Sequence, residues 1–347
     1  MTGKEYGLNT SVKELIEDTG MGRPHVVILG AGASLATCSE GDCDGKKLPL
    51  MNNFVETVGL EAILKEYGVV YKGRNFEDIY SDLYEKEYND LTEEIEALVV
   101  DYFRKLKLPP YPTIYDHLVL SLREKDIIAT FNWDPLLYQA CWRNHEHAQL
   151  PYVCYLHGNV IIGYCYNDMQ QGMIGERCPK CDNLYQPSKI LFPIKKKNYN
   201  DDPALLTEWN SCTERLGQAY LLTIFGYSAP ETDVEAIQMM KKAWGSVRDP
   251  ELVEIEIIDK ENQDRLIEKW QDFIFESHYK IGSDFYTSKI ALFPRRTCEA
   301  QWNYDMPVKN EYYPQNPIPR KLNFPELWEW YCPLVEAENK KSQRLEL

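Results

Sequence analysis

Five runs of consecutive apolar residues, many of them β-branched, predict buried strands. They span residues 25–29, 126–130, 152–156, 219–225 and 253–258. Segments with apolar residues at i, i+3 and i+4 separate most of these runs and predict helices, at residues 135–142, 204–217, 230–244 and 262–275. Strands that are apolar throughout and alternate with helices indicate a Rossmann-like parallel sheet with helices on both faces.

A block of helical patterns interrupts this alternation after the first predicted strand. Its members span residues 52–67, 76–88, 91–108 and 114–122. The third pattern begins with Asp90-Leu-Thr-Glu93, a capping-box sequence. We therefore interpret residues 50–123 approximately as a helical module inserted into the sheet domain.

The C-terminal residues 294–347 mix prolines with aromatic side chains. The aromatic residues include Trp302, Tyr312, Tyr313, Phe324, Trp328 and Trp330. Because proline disfavours helix interiors and central strands, we expect an extended arm. Its rings must pack on the same subunit or on a neighbouring one. The sequence thus predicts an α/β domain over residues 1–293, followed by this C-terminal extended arm.

Composition narrows the class of protein. The 347 residues are 44% hydrophobic and 27% charged, as in globular proteins, and the net charge is −16. An acidic chain lacks the basic surface that nucleic-acid binding needs, so we expect no direct nucleic-acid binding. The sequence shows no secretory signal and no apolar run long enough to cross a membrane. We therefore expect a cytoplasmic protein whose ten cysteines are reduced thiols, apart from any that bind metal.

A glycine-containing turn follows the first strand directly. Gly30-Ala-Gly-Ala-Ser34 places small residues where a backbone can turn sharply and approach a pyrophosphate. The usual dinucleotide fingerprint has a third glycine where this chain has Leu35. A tight strand-to-helix turn that binds no ligand is the alternative.

Polar residues end four further strands. In a parallel sheet the carboxyl ends of the strands meet at one edge, where ligands bind. Thr130, Asn132, Asp134 and His157 follow the second and third strands, and Gly226, Ser228 and Asp259 follow the last two. Asp134 before Pro135 also fits a helix cap. His157 at such an edge is a candidate acid or base.

A cysteine cluster is expected within about residues 160–190. Cys178-Pro-Lys-Cys181 has the C-x-x-C spacing of a zinc knuckle, and Cys165-Tyr-Asn-Asp168 precedes it. We take Cys165, Cys178 and Cys181 as candidate zinc ligands, with Asp168 or Cys154 as the fourth. Free thiols in a degenerate ribbon are the alternative.

Taken in order, these motifs resemble the sirtuin family of NAD-consuming proteins over about residues 26–260. The resemblance implies that Asn132 and His157 form the catalytic pair and that NAD is the substrate. It also supports a zinc ribbon after the histidine motif. Further contacts to NAD are implied for Gly30, Ala31, Gly32, Ser34, Thr130, Asp134, Gly226, Ser228 and Asp259.

One departure from the family pattern favours a different reaction from protein deacylation. Sirtuin deacylases carry a G-I-P-D-F-R segment after the glycine loop, whereas this chain has Gly45-Lys-Lys-Leu-Pro49. The chain, including residues 190–199, is similar to the bacterial sirtuin-like subfamily that hydrolyses NAD, often in anti-phage defence. The resemblance thus implies an NAD hydrolase; an NAD-dependent lysine deacylase and a non-catalytic nucleotide-sensing subunit are the alternatives.

An unregulated NAD hydrolase would deplete its host, so we expect control of this activity. The expected devices are a homo-oligomer or an activating partner such as an ATPase or a nucleic-acid-sensing subunit. Contacts of the aromatic C-terminal arm with a neighbouring subunit would serve such assembly.

Overall fold

A computed structural model describes residues 11–194, 199, 201–247, 253–274, 278–305 and 314–345. In these residues one large sheet forms the centre of the molecule. Its strands are β1 (His25–Leu29), β2 (Ile127–Thr130), β3 (Tyr152–Tyr155), β7 (Leu221–Phe225), β8 (Glu254–Ile258) and β9 (Tyr279–Gly282).

All neighbouring strands of this sheet are parallel, in the order β3-β2-β1-β7-β8-β9. The central strands β1, β2 and β7 are buried along their whole length, as their apolar sequences predict. The doubly covered parallel sheet is confirmed. The edge strand β9 was not predicted, because its four residues are half-buried and mix Tyr, Lys, Ile and Gly.

Helices cover both faces of the sheet, and two hydrophobic clusters fill the space on either side. The α-helices of the described residues are α1 (Val12–Glu17), α2 (Ala31–Thr37), α3 (Phe54–Val58), α4 (Glu61–Glu66), α5 (Phe76–Glu85), α6 (Asn89–Arg104), α7 (Ile114–Leu120), α8 (Leu136–Asn144), α9 (Pro203–Gln218), α10 (Val234–Trp244), α11 (Gln263–Trp270), α12 (Lys289–Leu292), α13 (Thr297–Asp305) and α14 (Phe324–Leu345).

Helices α3 to α7 occupy the stretch that the sequence assigns to an inserted module. The first predicted helix of this block is divided in two, because Gly59 adopts φ 88°, a left-handed conformation that ends α3. Phe54 on α3 stacks on Phe76 of α5, with ring centroids 4.1 Å apart. The block packs into the same hydrophobic cluster as one face of the sheet.

A second, antiparallel sheet lies in the stretch where the sequence predicts a ribbon. It consists of β4 (Ile162–Cys165), β5 (Gln170–Met173) and β6 (Gln186–Pro187), in the order β5-β4-β6. Cys165, Cys178 and Tyr185 form a small buried cluster of their own there. This small sheet carries the cysteines discussed below.

The expected extended C-terminal arm is wrong for most of its length, because α13 and α14 are helices. Pro325 lies in the first turn of α14, where a missing N–H costs nothing. Pro333 lies inside the helix on an exposed face, so the carbonyl that it leaves without a donor can bind water. Tyr312 and Tyr313 lie outside the described residues.

Helix α14 packs on its own chain. Leu327, Tyr331 and Leu334 are buried, and the Trp328 indole N–H donates to Asn144 Oδ1 at 2.8 Å. Of the two packing partners that the sequence leaves open for these aromatic side chains, α14 uses its own subunit. None of the helices in the described ranges is both long and apolar enough to cross a membrane.

Candidate active site at the carboxyl edge of the sheet

The glycine loop after β1 lies against the loop after β7. The Gly32 N–H donates to Gly226 O at 2.9 Å. A Cβ atom on Gly30 would lie 2.5 Å from Tyr227 Cα, and Gly226 itself adopts φ +61°. These glycines are thus required by the contact between the two loops, whether or not a pyrophosphate binds there. Ala31, the first residue of α2, is exposed.

Asn132, after β2, is held by its side-chain amide N–H groups, which face three acceptors. Its Nδ2 lies within donating distance of Gly30 O at 2.8 Å, Ser34 Oγ at 3.0 Å and Tyr115 Oη at 3.2 Å. Its Oδ1 accepts no hydrogen bond from the described residues, and the side chain is half-exposed. The amide therefore presents a fixed acceptor at the sheet edge.

Ser34 and Asp134 bond to each other below Asn132. The Ser34 hydroxyl donates to Asp134 Oδ2 at 2.7 Å, and the Leu136 N–H donates to Asp134 Oδ1 at 3.0 Å. Burial raises the pKa of Asp134, against the lowering effect of these hydrogen bonds. The capping role that the sequence left open for Asp134 is thus present. Both side chains are almost fully buried, so they support Asn132 from within the protein.

His157, after β3, is buried in a group of aromatic and acidic side chains that we call the His157 cluster. The cluster consists of Phe131, His157, Tyr199, Tyr227 and Asp233. The Phe131 ring meets the imidazole edge to face at 4.7 Å and stacks on Tyr227 at 4.1 Å. Tyr199 Oη lies 3.2 Å from His157 Nε2, and Asp233 Oδ1 lies 3.6 Å from the same atom.

The turn after His157 requires glycine. Gly158 adopts φ +76°, and a Cβ atom there would lie 2.4 Å from Lys189 O. The Leu191 N–H donates to His157 O at 3.0 Å, which ties the histidine backbone to the return from the small sheet. This explains the His-Gly pair that the sequence shows.

The remaining predicted residues lie at the same edge. Thr130 is buried, and its Oγ1 accepts from the Asn132 N–H at 3.1 Å. Ser228 is exposed after β7. Asp259 follows β8, and its Oδ1 accepts from the Glu261 N–H at 2.9 Å. The parallel topology therefore places the predicted strand-end residues at one edge of the sheet.

The sequence analysis does not predict five side chains of this site: Tyr115, Phe131, Tyr199, Tyr227 and Asp233. Tyr115 comes from α7 of the helical block, and nothing in its local sequence links it to Asn132. Asp233 precedes α10, where an acidic residue ordinarily serves the helix N-terminus. Tyr227 lies within the Gly-Tyr-Ser motif, so its position was a signal that could have been used.

Four metal-ligating groups meet in the small sheet. The ligand atoms of Cys165, Asp168, Cys178 and Cys181 all lie within 4.8 Å of one another. Tetrahedral zinc with thiolate ligands requires sulfur atoms about 3.8 Å apart, so the spacing fits. Cys154, the other candidate for the fourth ligand, lies in the hydrophobic cluster of the main sheet. Asp168 is thus the fourth group in the structure.

A cavity of about 390 Å³ opens between the helical block and the small sheet. Tyr80, Arg104 and Ser188 contribute to its walls, whereas Asn132 and His157 do not. This cavity therefore does not include the two candidate catalytic side chains.

No family model matches the sequence, and no curated protein matches it. The chain is similar to solved Sir2 structures. A Sir2 homologue in complex with NAD shares 14% identity at a TM-score of 0.38, over 86% of this chain and 93% of that chain. Sir2 with the inhibitor EX-527, 2′-O-acetyl-ADP-ribose and a deacetylated p53 peptide shares 15% identity at 0.36, over 84% and 95%. Sequence identities and TM-scores this low do not transfer a function, so the function has to be inferred from the residues of this chain.

Proposed function

We propose that this chain hydrolyses NAD to nicotinamide and ADP-ribose, or to a cyclised product. The observation that carries the proposal is that a fixed amide acceptor, Asn132, and a buried imidazole, His157, follow two neighbouring strands at the edge that holds the glycine loop. Ligands bind at this edge in parallel α/β sheets. The ordered sequence motifs, which resemble those of sirtuins, support NAD as the ligand.

The proposed chemistry needs only these two side chains and water. Nicotinamide leaves as a neutral base that keeps the electron pair of the glycosidic bond. Asn132 Oδ1 accepts a hydrogen bond from the attacking water and so orients it toward the ribose carbon. His157 takes the proton of that water as a general base and later releases it to solvent.

Other residues are proposed to hold the dinucleotide. Exposed Ala31 and the adjoining Gly30 and Gly32 face the pyrophosphate. Ser34 and Asp134 are buried and bonded to each other, and Asn132 donates to Ser34, so we propose that they act on NAD through Asn132. Thr130 accepts a hydrogen bond from the Asn132 backbone and so supports the loop after β2. Gly226, Ser228 and Asp259 remain proposed contacts for the adenosine half.

We further propose that Cys165, Asp168, Cys178 and Cys181 bind a zinc ion whose role is structural and not catalytic. Its chemistry would be to cross-link the ends of the small sheet, which has little hydrophobic core of its own. Regulation through a homo-oligomer or an activating partner, a role in anti-phage defence and a cytoplasmic location remain parts of the proposal.

Product analysis of purified protein separates the candidate functions. The chain is incubated with NAD, with and without an acetyl-lysine peptide, and products are identified by mass spectrometry. A hydrolase yields nicotinamide and ADP-ribose without the peptide. Release only with peptide, together with acetylated ADP-ribose, would establish a deacylase in its place. NAD that binds but stays intact would indicate a nucleotide-sensing subunit.

A further inference from the structure

We propose that Asp233 is a positioning residue for His157, which it orients and whose protonated form it stabilises. This inference rests on the proposed function, because it assigns a partner to the proposed general base. Asp233 lies just before α10, in the segment that follows the loop after β7. No feature of the local sequence marks it as part of the site.

Within the part of the chain that the structure describes, Asp233 contacts His157 and Tyr227. Asp233 is 3% exposed and His157 is 5% exposed, so solvent screens their interaction only weakly. Asp233 Oδ1 lies 3.6 Å from His157 Nε2, while its Oδ2 accepts a hydrogen bond from Tyr227 Oη at 2.8 Å. One carboxylate thus uses one oxygen for a phenol and turns the other to the imidazole.

The surroundings hold this arrangement in place. The hydroxyl of Tyr227 donates to Asp233, and the ring of Tyr227 stacks on Phe131 with the two ring planes 3° apart. Thr232, the preceding residue, donates its hydroxyl to Glu77 of α5, so the helical block anchors the segment. Among the described residues, the titratable side chains in contact with the pair are Tyr199 and Tyr227. Glu77 lies near Tyr227, and Glu235 lies near Tyr199.

The negative charge of Asp233 would favour the proposed proton transfer to His157. When His157 takes a proton from water, the hydroxide oxygen bonds to the ribose carbon, the glycosidic bond breaks, and nicotinamide keeps the electron pair. The imidazolium that results is buried, and burial alone disfavours a cation. A carboxylate at this distance offsets that penalty, and the hydrogen bond from Tyr227 keeps the carboxylate aimed at the ring.

The test is Asp233→Asn, which keeps shape and removes charge. The chain has six histidines, so His157→Gln first assigns the His157 imidazole resonance in NMR spectra. We expect Asp233→Asn to lower the pKa of His157 by about one unit or more, because the cation loses its partner. We also expect kcat to fall by about 100-fold or more with KM nearly unchanged, and the acid limb of the kcat profile to move to lower pH.

Controls separate this role from a structural one. Asp305→Asn removes a carboxylate that also accepts from a tyrosine, Tyr220, but faces no histidine; it should leave the His157 pKa and kcat unchanged. Asp233→Glu, which keeps the charge, should retain part of the His157 pKa and part of kcat. If Asp233→Asn fails to fold, Tyr227→Phe should give a smaller pKa shift of the same sign.

An unchanged His157 pKa in Asp233→Asn, or equal losses in Asp305→Asn, would overturn the proposal. The NMR titration does not require turnover. A wild-type protein that shows the Asp233-dependent pKa but cleaves no NAD would thus contradict the proposed function and leave the pairing established.

Discussion

At the scale of single residues, the side chains at the strand ends divide by exposure. Asn132 is half-exposed and keeps one acceptor for a ligand, while Ser34 and Asp134 are buried beneath it and bond to each other. The sequence predicts that all three lie at one edge of the sheet. It does not show which of them faces solvent, so it cannot distinguish an accessible side chain from a buried supporting one. That distinction depends on α7, which brings Tyr115 to the Ser34 and Asn132 side chains.

Asn132→Ala should abolish nicotinamide release and leave NAD affinity within about three-fold of wild type. The reason is that Asn132 is proposed to orient water and not to anchor the dinucleotide. Calorimetry and a product assay on the same preparation measure both quantities. Asn210→Ala, at an exposed position on α9, is the matched control and should behave as wild type. Loss of binding in step with turnover would show that Asn132 is an anchor.

Residue burial also predicts a pH dependence of stability. Burial lowers the pKa of His25 to about 3, outweighing the nearby Asp126, and the imidazole bonds to Thr297 and Thr223. The unfolded chain takes up this proton below about pH 6.5, so the stabilisation is complete above that pH and is lost as pH falls toward 3. We expect a loss of about 2 kcal/mol between pH 7 and pH 5 from this group.

Urea unfolding at the two pH values measures this loss. Burial also lowers the pKa of His117, to about 4, so the wild-type decrease contains a second contribution of the same sign. His25→Gln should reduce the decrease, whereas His145→Gln, at an exposed histidine, should not. The same pH slope in His25→Gln as in wild type would contradict the assignment.

At the scale of elements, the sequence predicts strands most accurately where the strand is completely buried. Strands β1, β2 and β7 are apolar throughout, and their pattern matches their position in the sheet centre. The edge strand β9 has one neighbour and mixed side chains, so its pattern carries little information. The proline content of this segment disfavours a helix, but α14 tolerates both of its prolines. Pro325 lies in the first turn, where no N–H is needed, and Pro333 lies on an exposed face, where the carbonyl without a donor can bind water.

Glu338 on α14 is predicted to contribute strongly to stability. Its carboxylate pairs with Arg295 at 2.6 Å and with Arg296 at 2.5 Å, and both guanidinium groups are buried. Glu338→Ala would leave two buried cations without this partner, which should cost about 3–5 kcal/mol in the free energy of unfolding. Glu336→Ala, at an exposed position on the same helix, should change it by about 0.5 kcal/mol or less. Equal effects of the two variants in urea unfolding would refute this role.

The small sheet should bind one zinc ion per chain. Elemental analysis after extensive dialysis against a weak chelator measures it. Cys178→Ser should lose the metal, while Cys43→Ser, at an exposed cysteine outside the cluster, should retain it. Asp168→Cys should keep zinc, because it supplies a fourth thiolate. Wild-type protein with less than about a tenth of an equivalent would exclude a tight site.

At the scale of the whole molecule, the candidate site exists only because distant segments meet. Two parallel strand ends and a glycine loop could be read from the sequence, since the rule that strand ends share an edge requires no side-chain detail. The pairing of His157 with Asp233 could not, because it depends on how the segment before α10 folds back over the sheet. The packing of α14 on its own chain likewise removes one argument for assembly, so oligomerisation remains a prediction for light scattering.

The central claim is that Asn132 and His157 cleave NAD, and one comparison tests it most directly. Nicotinamide release is followed over time for wild type and His157→Ala, with bound NAD measured by calorimetry in both and folding checked by circular dichroism. We predict that the wild type releases nicotinamide and ADP-ribose in equal amounts, and that His157→Ala binds NAD, keeps its fold and releases neither. Equal release by the two proteins, or NAD that stays intact on the wild type, would contradict this account.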